Sequence, residues 1–100
     1  MFKIVKVRGV SMTPLYFPGE YLLCKKSKSI RSGDIVIAQT KTYGKILKRV
    51  RKVRDEDVLL EGLHPSSVTT EEIGPVKKDD ILYRVIFPRR EKSKERSSRQ

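Results

Sequence analysis

Six runs of alternating apolar and polar residues recur along this chain, and they constrain its fold more than any other feature. A period of two residues is typical of a β-strand with one buried face. Turn-forming pairs such as Pro18-Gly19 and Tyr43-Gly44 separate the runs. Short strands at such regular spacing predict an all-β fold, a small coiled barrel or sandwich. The runs cover residues 3–9, 20–26, 34–40, 45–53, 57–63 and 80–87.

Two segments between these runs predict short helical turns at most. Residues 11–16 read SMTPLY, and residues 69–74 read TTEEIG, where Thr70 is the predicted cap of a turn that carries Glu71 and Glu72. Strands and turns together fill residues 1–88, the size of one domain. Residues 89–100 have almost no apolar side chains, so we expect a disordered basic tail there.

The formal net charge of +11 bears on the partners that the chain can bind. Such a charge permits weak contact with nucleic acid or with an anionic membrane. The aromatic residues are not interleaved with the basic ones, as a stacking platform for nucleic-acid bases would need. No apolar run approaches the roughly 20 residues of a membrane-spanning helix. We expect a cytoplasmic protein without a transmembrane segment, and a monomer.

The chain has one cysteine, Cys24, and one histidine, His64, which leaves too few ligands for a transition-metal site. We therefore expect neither a metal nor another cofactor. Cys24 lies in an apolar run, which predicts a buried structural thiol. His64 is followed by proline in a predicted loop, and no carboxylate spacing supports a serine–histidine–aspartate triad around it.

Lys48 is the alternative base for a serine nucleophile. The alternation places it in phase with Ile46 and Val50, so it faces the core if those two residues do. Burial disfavours the charged form of a lysine and lowers its pKa, which would let the neutral amine accept a proton. On the pattern alone, a functional buried lysine and a solvated one stay equally open.

Three segments in fixed order carry a resemblance to a known family: GVSMTPLYFPGEYLL, IRSGDIVIA and GKILKRV. They resemble successive sequence boxes of signal peptidase I and of the SOS-repressor-type serine–lysine proteases, and the resemblance spans residues 4–87. It implies the signal peptidase catalytic-core fold, with Ser11 as the nucleophile and Lys48 as the general base. It also implies that Met12 packs inward beside Ser11 and that Ser67 orients the lysine.

The resemblance further implies that a peptide substrate binds as an extended strand, main chain to main chain. The small soluble branch of nickel-type superoxide dismutase maturation proteases is similar in length and has no membrane anchor. A member of that branch would be a serine endopeptidase that removes a short N-terminal leader from a protein. The implied strand-pairing positions are Val7, Arg8, Gly9, Ile46 and Leu47.

One segment departs from the family pattern. Where relatives have Gly-Asp-Asn, then a serine and Asp-Ser-Arg, this chain has EGLHPSSVTTEEIGPV at residues 61–76. Gly62 fits the start of that pattern, but the Asp, the Asn and the Arg are missing. The alternative function is therefore that of a catalytically inactive family member that binds protein or nucleic acid.

Overall fold

The computed structural model describes residues 1–27 and 29–90. Within these residues, seven strands form one antiparallel sheet in the order β1-β2-β7-β3-β4-β5-β6. The predicted all-β fold is confirmed. The strands are β1 Phe2–Lys6, β2 Tyr21–Lys25, β3 Ile35–Thr40, β4 Gly44–Val53, β5 Asp57–Glu61, β6 Val76–Lys77 and β7 Ile81–Phe87.

Each alternating run contains one strand, whereas β6 was not predicted. Its two residues pair with Asp57 and Val58 of β5 and are too few to show a period. The helical turn α1, Thr70–Ile73, was predicted, but its cap is Thr69 rather than Thr70. Glu72 stands three residues after Thr69, and the two residues form a capping box. The Thr69 hydroxyl oxygen accepts the N–H of Glu72 at 3.1 Å, and the Glu72 carboxylate accepts the N–H of Thr69 at 2.8 Å. No helix in the described part of the chain is long and apolar enough to cross a membrane.

Strand β3 lies at the centre of the sheet and separates two apolar clusters. Ile35 and Ile37 belong to one cluster, while Val36 and Ala38 belong to the other. Both faces of this strand are covered, which explains its continuous apolar sequence IVIA. The thiol of Cys24 lies in the first cluster and is fully buried, as predicted, and burial raises its pKa.

The sheet coils so far that β1 approaches β4, although β2, β7 and β3 stand between them in the strand order. Val5 of β1 and Leu47 of β4 pack against the same apolar cluster. Register shifts at Leu23/Cys24, Ile37/Ala38 and Val50/Lys52 interrupt the ladders, and such bulges bend and twist strands. An open groove remains between β1 and β4.

The segment after β7 returns to the turn that follows β1. The Tyr16 hydroxyl donates to the Pro88 carbonyl at 2.5 Å. The Arg90 guanidinium donates to the Leu15 carbonyl and to the Glu20 carboxylate at 2.9 Å, and it lies 5.0 Å from the centre of the Tyr16 ring. The predicted basic tail falls largely on residues 91–100, which lie outside the described residues.

Replacing Arg90 with alanine is expected to lower the melting temperature by a few degrees. The change removes a charge-assisted contact with Glu20 and a hydrogen bond to Leu15, both partly exposed to solvent. Thermal unfolding followed by circular dichroism measures the effect. Arg89→Ala is the matched control, because Arg89 is exposed and takes part in none of the ion pairs among the described residues. Equal melting temperatures for the two variants would contradict the expectation.

Candidate active site

Ser11 stands on a tight turn that is anchored in the core. The chain leaves β1 through Gly9, whose φ of 73° lies in the left-handed region that favours glycine. The N–H groups of Leu15 and Tyr16 both donate to the Met12 carbonyl at 2.9 Å, so residues 12–16 form one helical turn. Met12 is 1% exposed and packs inward, the position that the family resemblance implied for the residue beside Ser11. This packing fixes the position of a half-buried Ser11.

The loop after β5 holds the backbone of Ser11. The Ser11 carbonyl accepts hydrogen bonds from the N–H of Leu63 at 2.7 Å, the N–H of His64 at 3.1 Å and the Ser67 hydroxyl at 3.0 Å. Neither the residue pattern nor the family resemblance pointed to the two backbone donors. The family resemblance implied that Ser67 orients Lys48, which stays a prediction; in the structure the Ser67 hydroxyl donates to the backbone of Ser11. Ser67 therefore joins this loop to the turn that carries Ser11.

His64 contributes to this site through its backbone. Its ring nitrogen Nδ1 lies 2.7 Å from the Ser66 hydroxyl and also accepts the Ser66 N–H at 3.0 Å. Both contacts lie within the loop itself. The ring is thus engaged by its own loop, in agreement with the absence of a recognisable triad in the sequence.

Lys48 lies on β4 and is buried on the same face as Val50, which is one of the two possibilities that the pattern left open. It is 3% exposed and is the one charged side chain buried among the described residues. Burial removes water from the ammonium and lowers the pKa of Lys48. Within the described part of the chain, none of the carboxylates lies within ion-pair distance of Lys48 to stabilise its charged form. The environment therefore stabilises the neutral amine relative to that of a lysine in water.

Ser11 and Lys48 line the same cleft, which has a volume of about 180 Å³. Tyr43, Val68 and Ile73 contribute to the apolar part of its wall, together with Ile46 and Leu47. The two residues come from the turn after β1 and from the middle of β4, and three strands stand between β1 and β4 in the strand order. The coiling of the sheet is what brings them together.

Gly62 makes room for the groups around Lys48. A Cβ atom at this position would lie 2.3 Å from the Ser67 Oγ and 3.0 Å from the Lys48 Nζ. Its φ is outside the left-handed region, so the requirement for glycine is one of space and not of backbone conformation. The sequence pattern matched Gly62 to the family but gave no reason for a glycine there.

A groove of about 380 Å³ adjoins this cleft and runs between β1 and β4. Four of the five predicted strand-pairing residues line this groove: Val7, Arg8, Ile46 and Leu47. The fifth, Gly9, directly follows Arg8 in the chain. β5 pairs with β4 only from Arg49 onward, so residues 44–48 have no strand on that side among the described residues. Strand β1 is likewise an edge strand.

Val7 departs from its predicted role in one respect. Its N–H donates to the Glu20 carbonyl at 2.8 Å, and its carbonyl accepts the N–H of Gly19 at 2.9 Å. Both main-chain groups are thus engaged within the fold, and the side chain is 3% exposed. Val7 contributes an apolar side chain to the groove, and on this edge main-chain pairing with a substrate stays a prediction for Arg8 and Gly9.

Residues 2–86 match the Peptidase S24-like family. The chain belongs to this family. The match confirms the expected relationship to SOS-repressor-type peptidases, and it covers the described sheet from the start of β1 to the last residue but one of β7. Searches of curated proteins and of solved structures gave no match.

Proposed function

We propose that this Peptidase S24-like chain is a serine endopeptidase in which Ser11 is the nucleophile and Lys48 is the general base. The observation that carries the proposal is the burial of Lys48 in the cleft that Ser11 also lines. A desolvated lysine without a carboxylate partner loses its proton more readily than a solvated one. It can then act on a hydroxyl that would otherwise be a weak nucleophile.

The proposed reaction proceeds in two stages. The neutral Nζ of Lys48 takes the proton of the Ser11 hydroxyl while Oγ attacks the carbonyl carbon of the substrate. The resulting ammonium gives this proton to the departing amine as the C–N bond breaks. A water molecule then attacks the acyl-enzyme with Lys48 again as the base, which releases the acid product and restores Ser11.

The developing oxyanion would accept a hydrogen bond from the N–H of Ser11. Three donors hold the carbonyl of the same residue, which supports a fixed orientation of this turn. Gly9 has no side chain, so a hydroxyl from that position does not contribute. Met12 packs beneath the turn and Ser67 ties it to the neighbouring loop.

The substrate would be an extended peptide that enters the groove between β1 and β4. Arg8 and Gly9 on one edge, and Ile46 and Leu47 on the other, would pair with its main chain. We propose that the enzyme removes a short N-terminal leader from a protein. The family resemblance suggests the precursor of a nickel superoxide dismutase as a candidate substrate.

The rate of peptide cleavage is expected to rise with pH and to level off at a pH below the ordinary pKa of lysine, about 10.4. Burial lowers the pKa of Lys48, so the fraction of neutral amine increases as the pH passes through this lowered value. The measurement is kcat/KM between about pH 6 and 10 for a leader-peptide library with small residues near the cleavage site.

Ser11→Ala provides the control, since it should show no cleavage at any pH. A rate that is independent of pH, or cleavage that persists in Ser11→Ala, would contradict the proposed mechanism. Peptide binding without cleavage by the wild-type protein would favour the alternative, a family member that acts as a binding module.

A further inference from the structure

The groove between β1 and β4 has an apolar floor and a basic rim. Val7 and Ile37 are buried in the floor, with Leu82 and Tyr83 beside them. The Lys3 ammonium lies 5.8 Å from the centre of the Tyr83 ring, which places its charge over that floor. An extended peptide presents successive side chains in opposite directions, so the floor and the rim would contact alternate positions.

Two further cations stand where the groove meets the catalytic cleft. Arg8 lies on the β1 side and Lys45 on the β4 side, and each lines both the groove and the cleft. Both side chains are exposed. A peptide that passes from the groove to Ser11 would therefore run between two positive charges.

None of the carboxylates among the described residues lines either the groove or the cleft. Several of them form ion pairs with arginines elsewhere: Glu20 with Arg90, Asp57 with Arg54, Glu61 with Arg49 and Glu71 with Arg51. Within the same part of the chain, no carboxylate lies within 4.0 Å of a nitrogen of Lys3, Arg8 or Lys45. The rim charges are thus available to a ligand.

We infer that the peptide segment bound in this groove is acidic, with carboxylate side chains that alternate with apolar ones. The apolar side chains contact the floor, and the carboxylates reach Lys3, Arg8 and Lys45. This inference rests on the proposed function for the reaction, but the recognition of an acidic strand can be measured without any cleavage. Charge complementarity of this kind contributes mainly to selectivity and to the rate of association.

The test uses the full chain with Ser11→Ala and short labelled peptides in which alternate positions carry either Glu or Gln. Fluorescence anisotropy measures the dissociation constant of each peptide at low and at high salt. We expect the Glu peptide to bind about tenfold more tightly at low salt, as two or three partly exposed ion pairs would give. The advantage should shrink when salt screens the charges.

Charge reversal at the rim distinguishes an effect of the groove's own charges on binding from an effect of the protein's net charge. Lys3→Glu, Arg8→Glu and Lys45→Glu are each expected to remove most of the preference for Glu over Gln. Lys25→Glu makes the same change in net charge on β2, where the ammonium lies 5.9 Å from the Phe2 ring and outside the groove. This control should keep the preference. All four side chains are exposed, so the variants are expected to fold, and circular dichroism checks this.

Three results would overturn the inference: equal binding of the Glu and Gln peptides, an equal loss in Lys25→Glu, or displacement of the peptide by a single-stranded oligonucleotide that binds more tightly. Its failure differs from failure of the proposed function. If the wild-type protein cleaves Glu and Gln peptides equally well, the proposed peptidase activity is supported and the inferred acidic specificity is wrong. If the Glu peptide binds in the groove but is never cleaved, the inferred acidic specificity is supported and the proposed peptidase activity is wrong.

Discussion

Replacing Lys48 with methionine is expected to abolish peptide cleavage and, at the same time, to stabilise the fold. The loss of the proposed base should lower kcat by about 10³-fold or more. Methionine fills nearly the same volume but has no charge to bury, and each unit by which burial lowers the lysine pKa corresponds to about 1.4 kcal/mol. A gain of about 1 kcal/mol would raise the melting temperature of a domain of this size by about 4–8 °C.

The pH dependence of this stabilisation follows from the direction of the pKa shift. The pKa of Lys48 is lower in the folded protein, so the unfolded chain binds more protons between the folded and the unfolded pKa. The stability of the wild-type protein therefore rises with pH through this window, and its difference from Lys48→Met should narrow. Melting temperatures of both proteins between about pH 7 and 10 measure the effect.

Lys52→Met is the matched control on the same strand, because Lys52 is exposed and lines neither the cleft nor the groove. It should leave both cleavage and the pH dependence of stability unchanged. If Lys48→Met retained activity, or if it were destabilised at neutral pH, the assignment of Lys48 as a buried, partly deprotonated base would be wrong.

Gly62→Ala is expected to lower kcat by about 10²-fold, the scale of a misplacement of about 1 Å in an active site. The added methyl group would lie 2.3 Å from the Ser67 Oγ and 3.0 Å from the Lys48 Nζ, so these groups have to move. The backbone at this position is compatible with alanine. The effect should therefore appear in kcat, with a smaller effect on the melting temperature.

A second substitution distinguishes crowding from a general defect. The Ser67 Cβ would lie 2.5 Å from the new methyl group, so Ser67→Gly removes both short contacts and leaves only the 3.0 Å contact with Lys48. Gly62→Ala combined with Ser67→Gly should recover part of the activity that Gly62→Ala loses. If Gly62→Ala were fully active, the proposed arrangement around Lys48 would be incorrect. Steady-state kinetics of the three variants makes the comparison.

The family assignment connects these expectations to a broader class of peptidases. The match over residues 2–86 establishes a Peptidase S24-like domain, and the buried lysine is the observation behind our proposal of a serine endopeptidase, despite the altered segment at residues 61–76. In that segment, backbone donors from Leu63 and His64, together with the Ser67 hydroxyl, bind the Ser11 carbonyl. The missing Asp, Asn and Arg therefore do not leave the Ser11 turn without support.

Strand periodicity is a local property, and the sequence showed it for six of the seven strands in the described residues. Alternation alone placed Lys48 on the same face as Val50, and both are buried. The turn that presents Ser11 was also readable, because Gly9 and the residues that follow interrupt the first strand. Two errors were local as well: strand β6 is too short to show a period, and the cap of α1 depends on which threonine Glu72 can reach.

Only the tertiary structure decided which of these elements meet. Ser11 and Lys48 share a cleft because register shifts bend the sheet until β1 approaches β4, and the position of a bulge is not visible in an apolar–polar pattern. Other contacts between distant segments also depend on the tertiary structure: the main chain of Val7 bonds to residues 19 and 20, and the Ser67 hydroxyl donates to Ser11. At Gly62, a side chain would fit only if the neighbouring atoms moved. Contacts between distant segments depend on the geometry of the whole sheet, whereas the strands themselves depend on their own residues.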